Sequence, residues 1–94
     1  MNKPNCSRHT TSITHFGSDF KSLAKEIGDL RYDALSKFLA ELADKIHGDS
    51  EKDLAGGRKR LADTLLEMSA DLYDAKIDCD TAWERCKPYM NVDE

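Results

Sequence analysis

A chain of 94 residues makes one domain, and a domain of this size buries only about two thirds of the surface its unfolded form exposes. Eighteen acidic residues against fourteen basic ones leave a net charge of −4, which excludes a general attraction to nucleic acid or to an anionic membrane. With one valine, and with no stretch that alternates apolar and polar residues, a β-sheet is excluded as well.

Residues 1–15, MNKPNCSRHTTSITH, carry Lys3 and Arg8, no acid and no period; they read as a flexible N-terminal tail. A helical-hairpin domain is expected over 16–90 and a frayed C-terminus over 91–94. The tail holds no apolar run of leader length, and nothing in the chain is long enough to span a bilayer, so the expectation is a cytoplasmic protein with no membrane contact.

Ser18 or Asp19 is placed to cap a first helix by accepting a free backbone N–H. From there Phe20, Leu23, Ile27, Leu30, Ala34, Phe38, Leu42 and Ile46 recur at spacings of three and four, which predicts a helix over 19–47. The stripe keeps its phase across Gly28, so one helix, bent if anything, is favoured over a break there capped by Asp29. Gly48 suits the end of that helix, with His47 facing its C-terminal dipole. Ser50 then caps a second helix, with Asp53 as an imperfect capping box. This helix is expected over 51–87, up to Pro88, which cannot continue it.

Within the second helix Leu61, Leu65, Met68, Leu72, Ala75, Cys79, Ala82 and Cys86 recur at spacings of four and three without a slip, the pattern of an a/d seam. Two long helices joined by about three residues lie antiparallel. A turn near Asp49 pairs residue i with about 98 − i, setting Phe16 and Phe20 against Ala82 and Cys79, and Phe38 and Leu42 against Leu61 and Gly56. The same register lays Lys21, Lys25 and Arg31 beside the acidic row of Glu67, Asp71, Asp74 and Asp78. It also brings Asp33, Glu41 and Asp44 near Arg58, Lys59 and Arg60.

Helix two carries a second apolar row, Leu66, Ala70, Tyr73 and Ile77, and helix one a surplus in Tyr32, Leu35, Leu39 and Ala43. A two-helix hairpin cannot bury both sides of a helix, and a leftover apolar patch marks an interface. The fold expected is therefore all-α: an antiparallel hairpin that dimerises into a four-helix bundle, with Tyr32, Leu35, Leu39, Leu66, Ala70, Tyr73 and Ile77 at the interface. The competing expectation is a monomer whose residues 1–18 cover the patch.

Chemistry finds little support. No Glu is followed by His three residues later, as a carboxylate-bridged metal site in a bundle requires, and Cys6, His9 and His15 match no zinc spacing. Neither Cys79 nor Cys86 has a histidine near it in sequence or register; both read as small core residues of a reducing compartment, with a redox-responsive pair as the minor alternative. No cofactor, metal or enzymatic activity is expected. The function expected is a small interaction or regulatory module, a homodimer that binds another protein through an exposed apolar helix face. Its alternative is a nucleic-acid-binding regulator using Arg58, Lys59 and Arg60 with the basic tail, against which the net acidity counts.

Overall fold

A computed structural model describes residues 9–11, 13, 16, 17 and 19–89. The expected tail over 1–15 lies mostly outside these residues, and the expected frayed end over 91–94 wholly outside them. The described residues form three α-helices and a 3-10 turn, with no strand among them. Helix α1 spans Phe20–Gly28 and is capped by Asp19, whose carboxylate accepts the Ser22 N–H at 2.9 Å. That hydrogen bond holds the Asp19 carboxyl below its ordinary range.

The single helix expected over 19–47 is broken. The Asp29 N–H still reaches the Lys25 carbonyl at 2.9 Å, but the Leu30 N–H tightens back to Ile27 at 3.1 Å, and Arg31 is extended with ψ of 145°. Two local causes favour the break over a continuous stripe. Gly28 gains least from staying helical. Asp33 caps the next helix from inside its first turn, accepting the Ala34 N–H at 2.9 Å and the Arg31 guanidinium at 2.7 and 2.8 Å. The guanidinium is the main reason the Asp33 carboxyl lies below its usual range. The break that was the less favoured reading at Gly28 is thus present, with Arg31 rather than Asp29 as the residue that opens the second helix.

Helix α2 spans Tyr32–Ala55 and passes straight through the turn expected at 48–50. Asp49 is held by Lys45 at 2.6 Å, one turn back. The Ser50 hydroxyl donates to the Ala62 carbonyl at 2.8 Å, so it does not cap anything. His47 consequently sits inside α2, with Nδ1 3.8 Å from Glu51. The stop comes at Gly56–Gly57. Gly57 has φ of 85°, a left-handed conformation that favours glycine. Its N–H reaches the Leu54 carbonyl at 3.0 Å, and the Arg58 N–H reaches the Asp53 carbonyl at 2.8 Å, the two bonds of a Schellman motif. An apolar contact commonly fastens that motif. Here an ion pair does so: Arg58 Nε lies 2.8 Å from Asp53 Oδ1, with the Asp53 side chain only 8% exposed.

Helix α3 therefore begins at Lys59 rather than Glu51 and runs to Cys86. It ends within a residue of the expected position, passing into the 3-10 turn Lys87–Tyr89 at Pro88. Helices α2 and α3 pack against each other as a hairpin. Ser50 reaches Ala62, Ser69 donates to the Ala43 carbonyl at 2.8 Å, and the Cys79 Sγ–H points to the Tyr32 carbonyl at 3.2 Å. Residue i thus faces about 112 − i, not 98 − i, because the turn moved from Asp49 to Gly57. The paired sets expected from the earlier register are not brought together; Arg58 and Lys59 bind Asp53 and Asp63 instead of the acids of the first helix.

The seam is also turned. The residues buried between the helices are Ser36, Ala43 and Ser50 on α2 and Ala62, Ser69 and Cys79 on α3. Leu61 and Met68, members of the expected seam, are exposed. Small side chains let two backbones approach closely, and interaxial distance follows the residues at the contact. The serine hydroxyls turn that closeness into hydrogen bonds to carbonyls of the facing helix. At the open end of the hairpin the Arg31 guanidinium lies 5.1 Å from the centre of the Trp83 ring and Lys87 Nζ 5.9 Å from it, cation–π contacts that tie the start of α2 to the end of α3.

Candidate functional site

Because the seam is lined by alanine, serine and one cysteine, the large apolar side chains fall on the two flanks of the hairpin. On one flank Leu35, Leu39, Leu42 and Ile46 of α2 lie along one helical stripe at spacings of four, three and four. They run beside Leu61, Leu65 and Met68 of α3. Between these rows, toward the turn, is a groove of about 580 Å³ floored by Ile46, Leu61, Leu65 and Met68 and edged by Lys45, Asp49, Lys52, Asp53 and Arg58, with His9 at one end. The expected a/d row on α3 thus forms a wall of this groove instead of the contact with α2.

The other flank is narrower. Leu66, Ala70, Tyr73 and Ile77 form a ridge along α3, and the Tyr73 hydroxyl donates to Asp44 of α2. The Asp44 carboxylate is the main cause that raises the Tyr73 hydroxyl above its usual pKa. The seven residues expected at one interface are therefore divided. Leu35 and Leu39 share the α2 stripe of the groove flank but lie outside the groove's own lining, Leu66, Ala70, Tyr73 and Ile77 form the ridge, and Tyr32 stands at the open end with its carbonyl on Cys79. The division follows from the seam, which separates two stripes that a helical wheel of either helix alone shows as neighbours. The small residues at sevenfold spacing, Ser36, Ala43 and Ser50 against Ala62 and Ser69, carried the signal that would have placed it.

The basic cluster is mostly engaged. Arg58 belongs to the turn, and Lys59 Nζ lies 2.9 Å from Asp63; Arg60 alone makes no ion pair among the described residues. Among the same residues no three His, Cys, Asp or Glu side chains converge on one point, and no helix is long and apolar enough to cross a membrane. Cys6 and His15 lie outside the described residues.

Two acid–base features belong to the hairpin itself. Lys76, 2.8 Å away, and the Ser36 hydroxyl hold the Asp80 carboxyl below its ordinary range. Burial, with Asp80 beside it, pushes the Cys79 thiol up. The thiolate is the reacting species, so Cys79 is shielded twice, by packing and by protonation. With Cys6 replaced by serine, a disulfide reagent at pH 8 will label half-buried Cys86 promptly and Cys79 only under denaturing conditions; equal native rates would contradict this placement. The two thiols lie two turns apart on one helix, about 10 Å along its axis, beyond the reach of a bridge within the chain.

No protein-family model, curated protein or solved structure matches the chain.

Proposed function

We propose that the chain is a non-enzymatic interaction module that self-associates through its groove flank into a four-helix bundle and acts by binding another protein. One observation carries this reading: the hairpin buries small residues and leaves Leu42, Leu61, Leu66, Phe38, Met68 and Ile77 exposed. On the groove flank Leu42, Leu61 and Met68 are 36%, 39% and 41% exposed, surface that a second copy can cover. A stable dimer needs about 800 Å² from each partner.

Two copies meeting through the same flank make an isologous, twofold contact. The engagement of Arg58 and Lys59 by Asp53 and Asp63 supports a protein rather than a nucleic acid as partner. We place the module in the cytoplasm, a reducing compartment that suits its free Cys79 and Cys86.

Absolute mass by light scattering, at several concentrations and with reductant present, tests the self-association. A value near twice 10.6 kDa is expected, and 10.6 kDa at every concentration would refute it.

A further inference from the structure

We propose that the ridge of Leu66, Ala70, Tyr73 and Ile77, on the flank opposite the groove, receives a basic amphipathic helix of a partner protein. This rests on the reading of the chain as an interaction module and not on its self-association. Ile77 and Leu66 are 57% and 48% exposed, and the ridge from Leu66 to Ile77 is about 16 Å long, three helical turns. A partner helix of similar length matches it with one apolar stripe of its own.

The charge beside the ridge selects the partner. Glu67, Asp71, Asp74 and Asp78 border it on α3, and among the described residues none of these four carboxylates makes an ion pair. The remaining acids of the same helix do: Asp63 with Lys59, Asp80 with Lys76 and Glu84 with Lys87. Only Lys76 is basic on α3 between Arg60 and Arg85, and Asp80 occupies it. Across the seam the ridge meets Glu41 and Asp44 of α2, with Lys37 as the neighbouring cation. An apolar strip edged by carboxylates on both sides repels phosphate and attracts lysine and arginine. A helix with leucines at spacings of three and four and cations beside them satisfies both features at once.

The probe is a synthetic 14-residue peptide with leucine at those spacings and lysine elsewhere, compared with a scrambled peptide of the same composition and with a twin carrying glutamate for lysine. Titration of the full chain by anisotropy should show the patterned basic peptide binding at least about tenfold more tightly than either control. Ile77→Ser and the pair Asp74→Lys with Asp78→Lys should each weaken it by about tenfold or more. All three positions are exposed, and circular dichroism verifies that the variants fold. Equal binding of patterned and scrambled peptides would reduce the effect to net charge and overturn the proposal. So would binding unchanged by Ile77→Ser, or no binding at millimolar peptide. A fall in mass caused by Ile77→Ser would give the ridge to a second copy and overturn it too. A monomer that binds the peptide as described refutes the self-association and leaves this assignment standing.

Discussion

Replacing Ala43 with leucine should lower the melting temperature by about 10 °C or more, the largest effect of any single exchange of one apolar residue for another in this chain. Ala43 is 0% exposed and Ala62, across the seam, 3% exposed. An isobutyl group at Ala43 has no space unless the helices part. Overpacking of a closed core costs about 1–3 kcal/mol, and parting the helices also lengthens the hydrogen bonds from Ser69 to Ala43 and from Ser50 to Ala62, each worth about 0.5–1.5 kcal/mol. For a domain of this size 1 kcal/mol corresponds to about 4–8 °C. Ile77→Ala, which removes a larger side chain, should change stability by no more than about 0.5 kcal/mol, because its site is mostly in water. Thermal melts of the two variants at a fixed low concentration check the pair. A tolerated leucine at 43 would mean that the seam lies on another face.

This inversion, in which gaining a side chain harms and losing one does not, also explains what the sequence conceals. The helical class, the cap at Asp19 and the end of α3 before Pro88 were all legible, because each depends on local chemistry: an aspartate before an apolar period, or a proline that cannot donate. The turn was misplaced because Gly48, Asp49 and Ser50 carry the same local signals as a helix boundary, and only contact with α3 gives Ser50 a different use for its hydroxyl. Gly56–Gly57, the real stop, is fastened by the ion pair between Asp53 and Arg58, which closes only in the folded turn. The displaced turn moved the register by 14 residues, the difference between 112 − i and 98 − i. That is two heptads, so the shift leaves the helical phase unchanged and the periodicity raised no objection to it; the turning of the seam from Leu61 and Met68 to Ala62 and Ser69 is a separate change.

The seam itself was missed for a different reason. Hydrophobic periodicity weights leucine and methionine heavily and alanine and serine little, so it located the stripes with the most apolar surface. In this hairpin those stripes flank the contact. Tyr32, Leu35, Leu39, Leu66, Ala70, Tyr73 and Ile77 lie outside the buried seam, whereas Ala43, expected in the same surplus row, is buried within it; the division into two flanks required the seam, which only the small residues specify.

The pair Leu42→Asp with Met68→Asp should convert the proposed dimer to monomers while leaving the hairpin folded. Leu42 and Met68 are 36% and 41% exposed and face each other across the middle of the groove flank, so in a single hairpin each new carboxylate reaches water and the seam is untouched. In the twofold bundle the same substitutions enclose four carboxylates between the subunits, with no cation of the groove floor to meet them. Burying one unpaired charge outweighs the transfer of a whole apolar side chain, so a loss of more than about 4 kcal/mol, over a thousandfold in dissociation constant, is expected. Light scattering should fall from twice 10.6 kDa to 10.6 kDa, with the helical circular dichroism signal retained. The matched pair on the ridge, Leu66→Asp with Ile77→Asp, should keep the dimer mass and lose the basic peptide. If the ridge pair dissociates the dimer and the groove pair does not, self-association belongs to the Tyr73 side, and the groove becomes the surface left open for another protein.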